Sequence, residues 1–126
     1  MESDPTQSHK EVPARGLAFA VRVAKFCAEL AVTPGAKRIL AGRLLRLSVS
    51  LGTTLEQAQE SESRDEFLQC LTAARKLARE TRYWLRVARV PEYAPAEVVT
   101  PLFDEVHALA QSVVILLREE REKYGA

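Results

Sequence analysis

Apolar residues recur along most of this chain at alternating steps of four and three. That spacing marks one face of an α-helix. Leu17, Val21, Ala24, Ala28 and Ala31 form one stripe, and Phe19, Val23, Phe26 and Leu30 form a second beside it. Thr33-Pro34-Gly35 closes the segment, because proline cannot continue a helix and glycine relieves the turn. The next seam is Leu40, Leu44, Leu47, Leu51, Thr54 and Ala58. Gly42, Ser48, Ser50, Gly52 and Thr53 lie in the same stretch and are mediocre helix formers. Small residues there let another helix approach closely, or else break the helix near Gly52. Ser63 followed by Glu66 is a capping box. It opens a third seam of Phe67, Leu71, Ala74, Ala78, Thr81, Leu85 and Ala88. After the turn Pro91-Glu92-Tyr93-Ala94-Pro95, a fourth runs through Leu102, Val106, Leu109, Val113 and Leu116. Thr100-Pro101 reads as a cap and first turn, or as a kink.

The pattern predicts helices over about 14–32, 36–60, 63–90 and 96–122. Residues 1–13 are polar, hold Pro5 and Pro13, and read as a flexible N-terminal tail. No segment alternates with a period of two, so no sheet is expected. Four long helices with short connections predict an all-α, antiparallel up-down-up-down four-helix bundle over residues 14–123.

The third helix carries more than a core seam. Leu77, Trp84 and Val87 widen its apolar arc to roughly 180°, beyond the ~100° a surface helix needs. This surplus, with the double stripe of the first helix, predicts a homo-oligomer. Leu77, Glu80, Tyr83, Trp84 and Val87 are the interface candidates. The opposite flank holds Arg75, Arg79, Arg82, Arg86 and Arg89, again at steps of four and three. Guanidinium forks suit phosphate oxygens, so these five, with Arg43 and Arg46, are nucleic-acid-binding candidates. The same arginines could instead pair with Glu97, Asp104, Glu105, Glu119 or Glu120 of a neighbouring helix, or sit at a subunit interface. No aromatic residue is interleaved with them, so base stacking has no support in the linear sequence.

Composition narrows the function classes. The chain has 126 residues, 47% of them hydrophobic, with a net charge of +1. That is one foldable domain rather than a polyanion-coating tail. The charge is uneven: residues 37–89 hold 11 basic and 6 acidic groups, and residues 90–126 hold 3 and 7. No apolar run reaches the 18 or so residues of a membrane span, and the N-terminus lacks signal-peptide features. A cytoplasmic protein without membrane contact is expected. Cys27 and Cys70 lie outside any metal spacing and read as reduced thiols. Only His9 and His107 are present, and Asp104-Glu105-Val106-His107 supplies one carboxylate–histidine pair where a di-iron bundle needs two. With no phosphate loop and no nucleophile elbow, the expectation is no enzyme, no metal and no cofactor.

A run of residues carries a resemblance. Leu45-Arg46, Ser50-Leu51-Gly52, Glu56-Gln57-Ala58-Gln59, Glu62-Ser63-Arg64 and Phe67 follow without gaps and lead into Lys76, Ala78-Arg79-Glu80-Thr81 and Tyr83-Trp84-Leu85-Arg86. This resembles the bacterial four-helix-bundle proteins first noticed as reading frames inside intervening sequences of 23S ribosomal RNA genes. It covers roughly residues 17–118. The family is similar to the accessory variability protein of diversity-generating retroelements, a pentameric barrel that binds a reverse transcriptase and nucleic acid. The resemblance implies a homopentamer, no catalysis, and RNA or a reverse transcriptase as partner. Arg43, Thr54 and Leu77 stand where the family usually has Gln, Asn and Glu, which removes groups of a buried polar network. Arg46, Glu56, Arg79, Glu80 and Tyr83 keep their motif positions. Arg46 and Glu56 are too far apart on one helix to touch, but each could pair with Glu80 or Arg79 on the next. The expectation is therefore a non-catalytic oligomer that binds structured RNA or a reverse transcriptase through arginine-rich surfaces. The rival is a protein-interaction scaffold without nucleic acid.

Overall fold

The computed structural model describes the backbone of residues 5–90 and 92–123, with side chains from Glu11 onward in that range. It is all-α: α1 (Pro5–Leu30), α2 (Ala36–Gln59), α3 (Arg64–Ala88) and α4 (Ala96–Lys123), with no strand among the described residues. Each helix packs on its neighbours in sequence, and α1 closes the ring against α4. Cross-helix pairs show the directions. Arg15 reaches Ser112 while Arg22 reaches Glu105, so α1 and α4 run antiparallel. Arg82 meets His107 and Arg89 meets Phe103, so α3 and α4 do too.

The predicted seams are the core. Phe19, Leu44, Leu51, Leu71, Leu85 and Leu109 are among the fully buried side chains. On α1 the two stripes part company. Phe19, Val23, Phe26 and Leu30 point inward, whereas Leu17 and Val21 are exposed. Ser48 and Thr81 are the buried polar residues, and each hydroxyl donates to a carbonyl of its own helix, Leu45 and Leu77. A hydroxyl satisfied within its helix carries little desolvation cost.

One expectation is corrected and two open alternatives are decided. The helix begins at Pro5 rather than near residue 14, and Val12 is buried in the core, so residues 5–13 are not a tail. Residues 1–4 lie outside the described set, as do Pro91 of the predicted turn and the side chain of His9. Pro13 is accommodated inside α1. The break near Gly52 does not occur, since α2 is continuous. Gly52 instead meets Gly16 of α1, where an added Cβ would lie 3.6 Å from the Gly52 Cα. Finally, α4 starts at Ala96, which places Thr100-Pro101 inside the helix rather than at its cap.

Two boundaries follow local chemistry. Gly35, at φ 94°, precedes α2 in a backbone region that side-chain-bearing residues rarely adopt. Ser63 Oγ accepts from Glu66 N–H at 3.1 Å, and the Glu66 carboxylate accepts from Glu62 N–H at 3.3 Å. The capping box is present, with its return bond one residue earlier than the usual form.

Candidate nucleic-acid interface

Helix α3 sends its two flanks to two different neighbours. The arginine flank faces α4. Arg75, Arg79 and Arg82 line an open groove of about 520 Å³ with Arg118, His107 and Gln111, floored by Ala110, Val114 and Ile115. Among the described residues, no carboxylate lines it. Among the described residues, Arg75, Arg79, Arg82, Arg86 and Arg89 form no ion pair. Glu105, a candidate counter-charge for them, is instead paired with Arg22 of α1. The Nε–H of Arg75 is buried and has no hydrogen-bond partner, an arrangement that costs about 1–3 kcal/mol for such a donor. Four guanidinium groups therefore share one concave surface that no described carboxylate lines.

The structure also puts aromatic rings where the linear order showed none. Arg82 donates to His107 Nδ1 at 2.9 Å. A guanidinium only donates, so Nδ1 is the accepting nitrogen in this contact. The His107 ring stacks on Phe103, with centroids 6.4 Å apart and planes within 3°. Arg89 lies over the other end of this pair, 5.7 Å from the Phe103 centroid. The order along the surface is cation, ring, ring, cation. Sequence reasoning missed His107, Phe103 and Arg118 as parts of this surface, because they come from α4. The signal that could have found them is register: antiparallel pairing of α3 with α4 sets 118 beside 75 and 107 beside 82.

Arg43 and Arg46 are elsewhere. Both lie on α2 and face away from the groove. Arg43 sits over the Trp84 ring, 5.5 Å from its centroid. Leu77, Trp84 and Val87 are partly buried and packed on the core, so much of the wide apolar arc is absorbed between α2 and α3. Glu80 and Tyr83 remain exposed, and Arg86 is exposed on the arginine flank beyond the groove. Arg46, Glu56, Arg79 and Glu80 are all exposed and make no ion pair with one another. The expected register-fixing pairs between α2 and α3 do not form within the chain.

The apolar surplus appears instead on α1 and α2. Leu17 and Val21 flank α2, and Leu45 and Val49 flank α1, all four exposed. The Gly16–Gly52 contact sets the register that brings them to one seam. Cys27, buried, has its thiol pushed up from 9.0 to about 11 by desolvation. Cys70 is half-buried, and both cysteines are free thiols. Glu105 turns to α1 and His107 to α3, so this pair does not converge.

The model of the 23S rRNA-intervening sequence protein family matches residues 9–114. No curated protein matches the chain. Among solved structures, it is similar to a protein with unknown function of the S23 ribosomal protein family from Bacteroides thetaiotaomicron. That likeness has 24% identity and a TM-score of 0.79, and it covers 88% of this chain and 98% of the other. At that identity it speaks for the shared fold alone. With the family match spanning most of its length, the chain belongs to the 23S rRNA-intervening sequence protein family.

Proposed function

We propose that this protein is a non-catalytic cytoplasmic assembly factor that binds RNA through the groove between α3 and α4. The carrying observation is the convergence of Arg75, Arg79, Arg82 and Arg118 on one groove that no described carboxylate lines. Like charges held this close repel, and a polyanion relieves that repulsion while releasing its own counterions. Each guanidinium fork can grip two phosphate oxygens. Such contacts position a nucleic acid by backbone and shape rather than by base edges. The family's tie to ribosomal RNA genes makes RNA the first ligand to test.

The test is fluorescence anisotropy of a labelled RNA hairpin against the full chain over a range of salt. The logarithm of affinity is expected to fall linearly with log salt, by roughly 0.7–0.9 per phosphate contact. Arg79→Ala with Arg82→Ala should flatten that slope by about two contacts. No binding even at low salt would overturn the reading.

The protein is further proposed to assemble with copies of itself, five by family resemblance. The exposed seam of Leu17, Val21, Leu45 and Val49 supports self-association. The same seam favours the second reading, a protein-interaction scaffold without nucleic acid.

A further inference from the structure

We infer that the α3–α4 groove takes a short unpaired stretch of nucleic acid, its phosphates on the arginines and a base against His107, rather than a duplex. This rests on the nucleic-acid reading above and sharpens it. Three observations carry it. The first is size. A groove of about 520 Å³ matches sites for small ligands, which run to about 300–1,000 Å³. That is the scale of a nucleotide or two.

The second is the floor. Ala110 and Val114 of α4 line the groove on the side toward the arginines of α3, and Ile115 joins the lining beyond Arg118. Ile115 is 52% exposed, so open apolar surface adjoins the arginines. Duplex phosphates have no use for such a floor, whereas the face of an unpaired base does. The third is the ring. His107 is exposed at the groove wall, backed by Phe103 and oriented by Arg82. A ring held by two neighbours is already ordered when the base arrives, so less entropy is lost on stacking. Cationic grooves with stacking rings are how single strands are held without sequence preference. Along α3, Arg75, Arg79 and Arg82 span about 10 Å of axis at 1.5 Å per residue, so the backbone would run beside the helix. Arg89, over Phe103, extends the cationic track past the stacked pair.

The experiment compares two fluorescein-labelled probes at one ionic strength: a ten-nucleotide single-stranded RNA, and the same strand in a blunt duplex. The wild-type chain is expected to bind the single strand at least about tenfold tighter, the scale of one stacked base. His107→Ala should bring the two affinities within about twofold. His107→Phe should restore the preference, because it keeps the ring and loses only the bond to Arg82. Arg79→Ala with Arg118→Ala should weaken both probes. Circular dichroism confirms that each variant is folded. Equal or tighter duplex binding would overturn the single-strand inference and leave the RNA reading standing. A preference that survives in folded His107→Ala would overturn the placement of the base. Failure of both probes to bind at low salt would overturn the RNA reading as well.

Discussion

Cys27 and Cys70 show how burial alone separates two identical side chains. Cys27 is 4% exposed, and desolvation raises its thiol to about 11. The thiolate, not the thiol, attacks disulfides, so a buried neutral thiol is slow. With Ellman's reagent at pH 8, one equivalent should react first and should vanish in Cys70→Ser; the second should wait for unfolding. The linkage has a definite sign. The folded chain holds the Cys27 proton to a higher pH than the unfolded chain does, so its stabilisation is full below pH 9.0 and lost as pH rises toward about 11. Urea denaturation across that window should fall more steeply for wild type than for Cys27→Ala. His107 teaches the companion lesson. As a residue in a list it is one of two histidines; bonded to Arg82 and stacked on Phe103 it becomes the wall of a groove.

The helices hold together through their ends as well as their seams. Gly35 precedes α2 at φ 94° with open space around its missing Cβ. The cost of a side chain there is therefore backbone strain and not collision. Gly35→Ala should lower unfolding stability by about 1–3 kcal/mol. Removing the Ser63 hydroxyl with Ser63→Ala should cost about 0.5–2 kcal/mol, with Ser63→Asp close to wild type. Thermal and urea unfolding measure both. These boundaries were legible because Pro-Gly and Ser-x-x-Glu act locally. The start of α1 was not. Pro13 reads as a breaker in isolation, yet α1 runs through it, and the burial of Val12 shows how packing pulls the segment into the core. Thr100-Pro101, open between a cap and a position within the helix, lies a turn inside α4.

For the chain as a unit, the open question is what covers the α1–α2 seam. Isolated exposed apolar residues are ordinary, but a contiguous set along one seam marks an interaction surface. Static light scattering should give a mass several times 14.1 kDa, near 70 kDa for five copies. Leu17→Glu with Val49→Glu should return it to the mass of one chain while the bundle stays helical. A single-chain mass for wild type at micromolar concentration would sink the assembly. If the assembly and the groove are independent, the dissociated variant should still bind RNA, with lower avidity because fewer grooves act together. Helix α4 is long and apolar enough to cross a membrane by length and composition. Its seam from Val99 to Leu117 is buried in the bundle, while most of the apolar stretch lies outside the core.

Helix number, most of the core seams and the Ser63 cap were readable from order alone, because each depends on residues three or four apart. The arginine stripe was readable for the same reason, lying on one face of one helix. What those arginines face was not readable, since it depends on which helix packs beside α3 and in what register. The structure pairs Glu105 with Arg22 and leaves the stripe without a carboxylate partner. It brings Arg118 and His107 across to the stripe, and it turns Trp84 toward Arg43. It also moves the apolar surplus from α3 to α1 and α2. Periodicity decides the faces of a helix; contact between helices far apart in sequence decides what each face meets.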